Sequence, residues 1–251
     1  MYNAECSWSV PDLPPVLSPA EVHVWCASLV AAPATIQTLR PLLSADELTR
    51  ANRFYFEKDR HHFIVARGVL RILLGRYLTM PPAQLRFSYN EYGKPFLDLT
   101  SRTPILQFNI SHSQDFALLA FTSNRLVGVD IEYMRVIEFE QLAEHSFSPY
   151  EQVTLQALPL SVRHAGFYNC WTRKEAYIKA RGRGLSLPLD SFDVSLRPGE
   201  AARLLASRED RREVQRWSLQ ALTPPAGYAG ALAVEGRDWQ LKQWRWTFAA
   251  E

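Results

Sequence analysis

The segment Val127-Gly128-Val129-Asp130-Ile131-Glu132 constrains the fold of this chain more than any other. Leu126, Val127, Val129 and Ile131 are apolar and β-favouring, so the segment reads as a strand. Side chains on a strand alternate faces, which puts Asp130 and Glu132 on the same one. Two carboxylates side by side repel unless a cation sits between them. Mg²⁺ is the usual resolution, because it is hard, prefers oxygen and tolerates few protein carboxylates. A second segment, Trp171-Thr172-Arg173-Lys174-Glu175-Ala176-Tyr177-Ile178-Lys179, reads as a helix with Trp171, Glu175 and Lys179 on one face. Where that face meets the strand, Glu175 is a third carboxylate and Lys179 a nearby cation. Such a group suits chemistry on a phosphate or pyrophosphate. Lys174 lies about 100° round the helix from Glu175, toward the edge of a bound phosphate or toward solvent. Each motif also has a plain reading. Acids at i and i+2 occur on exposed strands, and a Glu–Lys pair one helical turn apart is an ordinary surface pair worth a few tenths of a kcal/mol. The flanking sequence has to decide between these readings.

A chain of 251 residues, 47% hydrophobic and 22% charged, makes one large globular domain or two small ones. The net charge of +2 excludes a general nucleic-acid footprint, so any basic patch is local. Cys6, Cys26 and Cys170 are too few and too scattered for a disulfide framework or a zinc site, which fits a reducing cytosol. No apolar run reaches the roughly 18 residues of a membrane span. Met1 to Pro15 lacks the basic and apolar regions of a signal peptide. The expectation is a cytoplasmic protein with no membrane or nucleic-acid partner, and nothing demands more than a monomer.

Along the chain, residues 1–20 hold four prolines and read as an irregular arm. Glu21 to Leu29 alternates as a strand. Ser44 is placed to cap a helix, with Glu47 at the capping-box position and Thr49 to Phe56 continuing it. A longer helix is predicted from about Asp59 to Leu78, ended by Pro81-Pro82. Strands follow at Leu85–Tyr89, Leu106–Ile110, Phe116–Thr122 and Arg125–Glu132, with Tyr92–Pro95 as a turn and Ser123-Asn124 as a tight hairpin turn. The second half begins with helices over Glu138–His145 and from Ser148-Pro149 onward. The helix carrying Trp171 to Ala180 stops at Gly182. Strands are then predicted at Phe192–Leu196, Trp217–Leu222 and Gly230–Val234. Helices followed by antiparallel strands thus occur twice.

The segments G-V-D-I-E and W-T-R-K-E-A-Y-I-K resemble the two signature motifs of the Sfp-type 4′-phosphopantetheinyl transferases. So do Gly93-Lys94-Pro95, Asn109-Ile110-Ser111-His112-Ser113 and Gly182-Arg183-Gly184-Leu185-Ser186, all in the family's order over roughly residues 44 to 195. The resemblance implies an α+β fold of two similar subdomains related by pseudo-two-fold symmetry, divided as 1–123 and 124–251, with the active site in the cleft between them. It implies transfer of the phosphopantetheine arm of coenzyme A to a serine of an apo carrier protein, releasing 3′,5′-ADP, in the manner of a holo-carrier synthase. Asp130, Glu132 and Glu175 are then the Mg²⁺ ligands, and Glu175, Lys179 and Asp130 the catalytic set. Glu175 would take the serine's proton, and Lys179 would steady the pyrophosphate.

By the same resemblance Arg50, Lys94, Ser111 and His112 surround the coenzyme A 3′-phosphate, with Arg53 a rival to Arg50. Lys174 and Lys179 lie along the rest of the coenzyme. Glu47 stands where some members carry a lysine. The segment Phe139–Phe147 would receive the carrier. Ser111-His112 as a nucleophile pair fails, because adjacent strand residues face opposite ways. Two other readings stay open: another Mg²⁺-dependent phosphoryl- or pyrophosphoryl-transfer enzyme, and a non-catalytic coenzyme A or carrier-binding protein. A hydrolase has no need of a 3′-phosphate pocket, and a binding protein has no need of the intact acids and Lys179. Which carrier is served is not written in these motifs.

Overall fold

The computed structural model describes residues 8–12, 15–97 and 105–248. Cys6 and much of the N-terminal arm lie outside them. The first half runs β1 (Glu21–Ser28), α1 (Pro33–Leu39), α2 (Ala45–Ala51), α3 (Glu57–Leu78), β2 (Phe87–Tyr89), β3 (Pro95–Leu97), β4 (Leu106–Ser113) and β5 (Phe116–Ser123). The second runs β6 (Val127–Tyr133), α4 (Phe139–Ser146), α5 (Pro149–Gln156), α6 (Leu160–Arg181), β7 (Phe192–Val194), β8 (Leu204–Ser207), α7 (Glu213–Arg216), β9 (Trp217–Leu222), β10 (Tyr228–Glu235) and β11 (Gln240–Trp246). The α+β class holds. Each half sets one 22-residue helix, α3 or α6, on a small sheet.

Alternation explains the layers. In the first sheet, ordered β11-β1-β5-β4, Trp25, Ala27, Leu119 and Phe121 face α3, while Val22, Val24, Leu118 and Ala120 face the other way. In the second sheet, ordered β6-β10-β9, Val127, Val129, Ile131, Leu232 and Val234 join that same central cluster. The opposite face of β10 carries Ala229, Ala231 and Ala233, and α6 packs on it. Burial of these apolar faces against each other is the main favourable term in the fold. Gly128 lets α6 come closest to β6. A Cβ there would lie 2.1 Å from the Ala176 carbonyl oxygen and 2.3 Å from the Ala180 nitrogen.

Ser44 and Glu47 form the expected capping box on α2. Glu47 does more than cap. It is buried, and it receives Arg67 Nε at 2.7 Å and Arg71 Nε at 2.6 Å from α3. It is therefore a structural acid that joins two helices. The helix stops at Ala51, so residues 52–56 are a loop, not its continuation. Gly182, at φ +69°, ends α6 as expected.

The Ser123-Asn124 turn differs from the expectation. Asn124 takes a left-handed conformation, at φ 56°, but it joins strands of different sheets, because β5 pairs with β1 and β4 while β6 pairs with β10. Hydrophobic alternation predicts strands, not their partners. The chain then returns to its beginning. β11 pairs in parallel with β1, so a division after Ser123 separates this strand from the sheet it completes.

Candidate active site

The face of α6 carrying Trp171, Glu175 and Lys179 is only partly buried, whereas residues 172–174 and 176–178 are buried. That opening lies against β6. Lys179 Nζ sits 2.5 Å from Asp130 Oδ1 and 2.9 Å from Ser111 Oγ. Ser111 Oγ donates to the same Asp130 oxygen at 2.8 Å, and Ser113 Oγ donates to Glu132 Oε2 at 2.8 Å.

These serines belong to a side-chain seam between edge strands β4 and β6. Val129 N–H donates to Asn109 Oδ1 at 2.8 Å, Ile131 N–H to Ser111 Oγ at 3.4 Å, and Tyr133 N–H to Ser113 Oγ at 3.1 Å. Alternate residues of β4 thus do for β6 what a neighbouring backbone would do, and these β6 amides are satisfied without a ladder. The same hydroxyls orient the acids between those amides. Asn109 and Ser113 belong to the Asn109–Ser113 motif, but sequence reasoning assigned neither a role of its own. Their signal is three short hydrogen-bonding side chains at i, i+2 and i+4 on an otherwise apolar strand.

Electrostatics separates the three acids. Burial is the main cause of a Glu175 pKa raised to about 7; the Lys179 charge lowers it, and the charges of Asp130 and Glu132 raise it. Burial and then the Asp130 charge also raise Glu132. Lys179 is held protonated by Asp130, its closest partner. Lys179 favours the ionised form of Glu175, but its ammonium is engaged by Asp130 on β6, and burial of Glu175 outweighs it.

Several expected coenzyme contacts have other partners. Lys174 is buried, pairs with Glu151 Oε2 at 2.7 Å, and donates to the carbonyls of Leu189 and Phe192 at 2.6 and 2.7 Å. It holds α6 to α5 and β7 and is shielded from solvent. Lys94 Nζ donates to the carbonyls of Lys179, Val127 and Ala180 at 2.7, 3.1 and 3.3 Å. An ammonium has three N–H groups, and these three carbonyls occupy them in this structure. Ser111 is buried in the Asp130–Lys179 pair and not in a separate pocket.

Arg50 is placed differently. It is exposed and lines an open groove of about 790 Å³ with Arg53, Phe54 and Tyr89. Solvent reaches the His112 ring. The protein around it is nevertheless the first cause of a lowered pKa, followed by the positive charges of Lys179, His62 and Arg50. His112 therefore stands between the Arg50 groove and the acids. In the segment expected to receive a carrier, Phe139 and Phe147 are core residues, and Leu142 is the exposed apolar side chain.

The acids fit Mg²⁺ in kind. Their oxygens are hard donors, and Asp130 Oδ2 is buried with no hydrogen-bond partner, an unsatisfied atom that a cation would satisfy. They do not form a finished cage. Among the described residues no three His, Cys, Asp or Glu side chains converge as a metal cluster, and Lys179 supplies the positive charge beside Asp130. No helix among those residues is long and apolar enough to cross a membrane.

Residues 126–233 match the family model described as the 4′-phosphopantetheinyl transferase superfamily, and residues 31–124 match the one described as 4′-phosphopantetheinyl transferase, N-terminal. The chain is 40% identical over 227 residues to the 4′-phosphopantetheinyl transferase HetI of Nostoc sp. (strain PCC 7120), covering 90% of this chain and 92% of that protein. It is 38% identical over 155 residues to the 4′-phosphopantetheinyl transferase Sfp of Bacillus subtilis (strain 168), covering 61% and 66%. Among solved structures, the Thermotoga maritima holo-acyl-carrier-protein synthase (AcpS) aligns with a TM-score of 0.37 and 20% identity, over 44% of this chain and 62% of that one. The Chronobacterium ammoniagenes ACPS–CoA complex aligns with a TM-score of 0.36 and 21% identity, over 45% and 98%.

Proposed function

Because the chain belongs to the 4′-phosphopantetheinyl transferase family, we propose that it moves the phosphopantetheine arm of coenzyme A onto a serine of apo carrier proteins and releases 3′,5′-ADP. The observation that carries this reading is a carboxylate titrating near neutrality, Glu175, beside Asp130, Glu132 and Lys179 at one opening. A general base works best with a pKa near the working pH. In the transfer, the serine Oγ attacks the phosphorus bearing pantetheine, and the P–O bond to the adenosine side breaks. The serine proton passes to Glu175, and the bond's electron pair leaves with 3′,5′-ADP.

Asp130, Glu132 and Glu175 are the proposed Mg²⁺ ligands; when bound, the ion neutralises charge on the pyrophosphate. Lys179 is the cation at hand for the leaving group, partly exposed and already protonated. Support for coenzyme binding at Arg50 is its open groove, with a second guanidinium and two aromatic rings suited to a phosphorylated base. His112 continues that path toward the acids. A carrier docking on α4 would meet Leu142 and the exposed Val136, not Phe139 or Phe147.

The test is intact-mass spectrometry of acyl, peptidyl and aryl apo carriers after incubation with coenzyme A and Mg²⁺. One phosphopantetheine added to a serine is expected on at least one carrier. No mass gain on any of them, with folded protein, rejects the reading.

A further inference from the structure

Helix α6 ends at Gly182, whose N–H caps the carbonyls of Ile178 and Lys179, and the carbonyls beyond them have no donor within the helix. The turn between β2 and β3 supplies partners from the other half of the chain. Lys94 Nζ takes the carbonyls of Lys179 and Ala180, and Asn90 Nδ2 donates to the Gly182 carbonyl at 2.6 Å. The same ammonium reaches the Val127 carbonyl at the start of β6, three residues before Asp130. Asn90 also shapes the turn, since its Oδ1 accepts from Lys94 N–H at 2.8 Å and Tyr92 N–H at 3.0 Å. Gly93, at φ 81°, permits the left-handed step between them.

A cation at a helix C-terminus is favourable, and here one cation also bridges to the strand. We infer that Asn90 and Lys94 are positioning residues, a clamp that fixes the Lys179 backbone against β6 so that Glu175 and Lys179 meet Asp130 in register. The inference rests on the transfer reaction proposed above for its kinetic consequences, but not for its structural ones. Burial lowers the Lys94 pKa to about 8, as expected of an enclosed ammonium without a carboxylate partner.

The clamp and a 3′-phosphate contact give opposite kinetics. A misplacement of about 1 Å costs up to about 10²-fold in rate. With an apo carrier that the native protein modifies, Lys94→Met and Asn90→Ala are therefore expected to lower kcat about 10- to 100-fold. The KM for coenzyme A and the preference for coenzyme A over dephospho-coenzyme A should stay as in the native protein. Amide hydrogen exchange at residues 179–183 should speed up in both variants. A raised KM with kcat intact and the 3′-phosphate preference lost would overturn the clamp, and so would unchanged kinetics. If Lys94→Met does not fold, Asn90→Ala decides, because it removes one strap and leaves the ammonium. If the native protein modifies no carrier, the proposed reaction fails while the exchange experiment still decides: unchanged exchange overturns the clamp, and faster exchange upholds it.

Discussion

At the scale of single residues, the three acids differ in what surrounds them. Asp130 is a short side chain whose Oδ1 is held by Ser111 and Lys179. Glu175 is longer and partly exposed, and burial raises its pKa to about 7. Asp130→Ala should therefore weaken metal binding, with part of the activity returning at high Mg²⁺. Glu175→Gln should lower kcat about 10²- to 10⁴-fold, the range of general-base catalysis, and extra Mg²⁺ should not repair it. Single-turnover rates against Mg²⁺ concentration separate the two roles; recovery of Glu175→Gln with metal would reduce Glu175 to a ligand. The sign of the pH dependence follows from the raised pKa. Without metal, Glu175 is about half protonated at pH 7, and Mg²⁺ favours its ionised form, so binding should release protons and tighten as pH rises through about 7. Calorimetry in buffers of different ionisation enthalpy measures that release, which should disappear in Glu175→Gln. The sequence identified Glu175 through its helical spacing from Lys179, but not its near-neutral pKa, which comes from burial. The protein partners of Lys94 and Lys174 were not legible for the same reason: whether a lysine meets a carbonyl or a buried glutamate is fixed by tertiary neighbours.

At the scale of elements, the strand that carries Asp130 and Glu132 and the helix that carries Glu175 are placed by one close contact. Gly128 lies under α6, where a Cβ would strike the backbone of Ala176 and Ala180, neighbours of Glu175 and Lys179. Backbone cannot move aside as the end of a flexible side chain can. Gly128→Ala should push helix and strand apart, destabilising the fold by about 1–3 kcal/mol or more and lowering kcat in whatever fraction stays folded. Urea denaturation together with activity of the folded fraction checks this; native stability and native kcat would show that the layer yields freely. Most elements were legible from alternation and caps, including the capping box at Ser44 and the stop at Gly182. The pairing of β4 with β6 was not, because Asn109, Ser111 and Ser113 replace a backbone ladder and no local pattern announces a partner. The strand Gln240–Trp246 was also missed: its glutamines, lysine and arginine blur the period of two, and only β1 beside it makes it a strand.

At the scale of the whole molecule, the midline is crossed repeatedly. The seam joins β4 to β6, the Asn90–Lys94 turn grips the end of α6, and β11 returns from the second half to complete the first sheet. Both halves contribute to the central apolar cluster, with Val22, Val24 and Leu118 from one and Val129, Ile131 and Leu232 from the other. A fragment of residues 1–123 keeps α3 and its own apolar face but loses β11, which leaves one edge of β1 open, and loses β6, which leaves Asn109, Ser111 and Ser113 without their amides. An open apolar edge and an uncovered sheet face are poor solutions for a small domain. That fragment alone should therefore show no cooperative urea transition and should associate at micromolar concentration. Mixed or co-expressed with residues 124–251, it should recover a transition seen at one midpoint by near- and far-ultraviolet circular dichroism, because the links make the halves one cooperative unit. Cooperative unfolding of 1–123 by itself would mean that the first half is self-sufficient and that β11 and the seam decorate it; two separated transitions in the intact chain would mean the same.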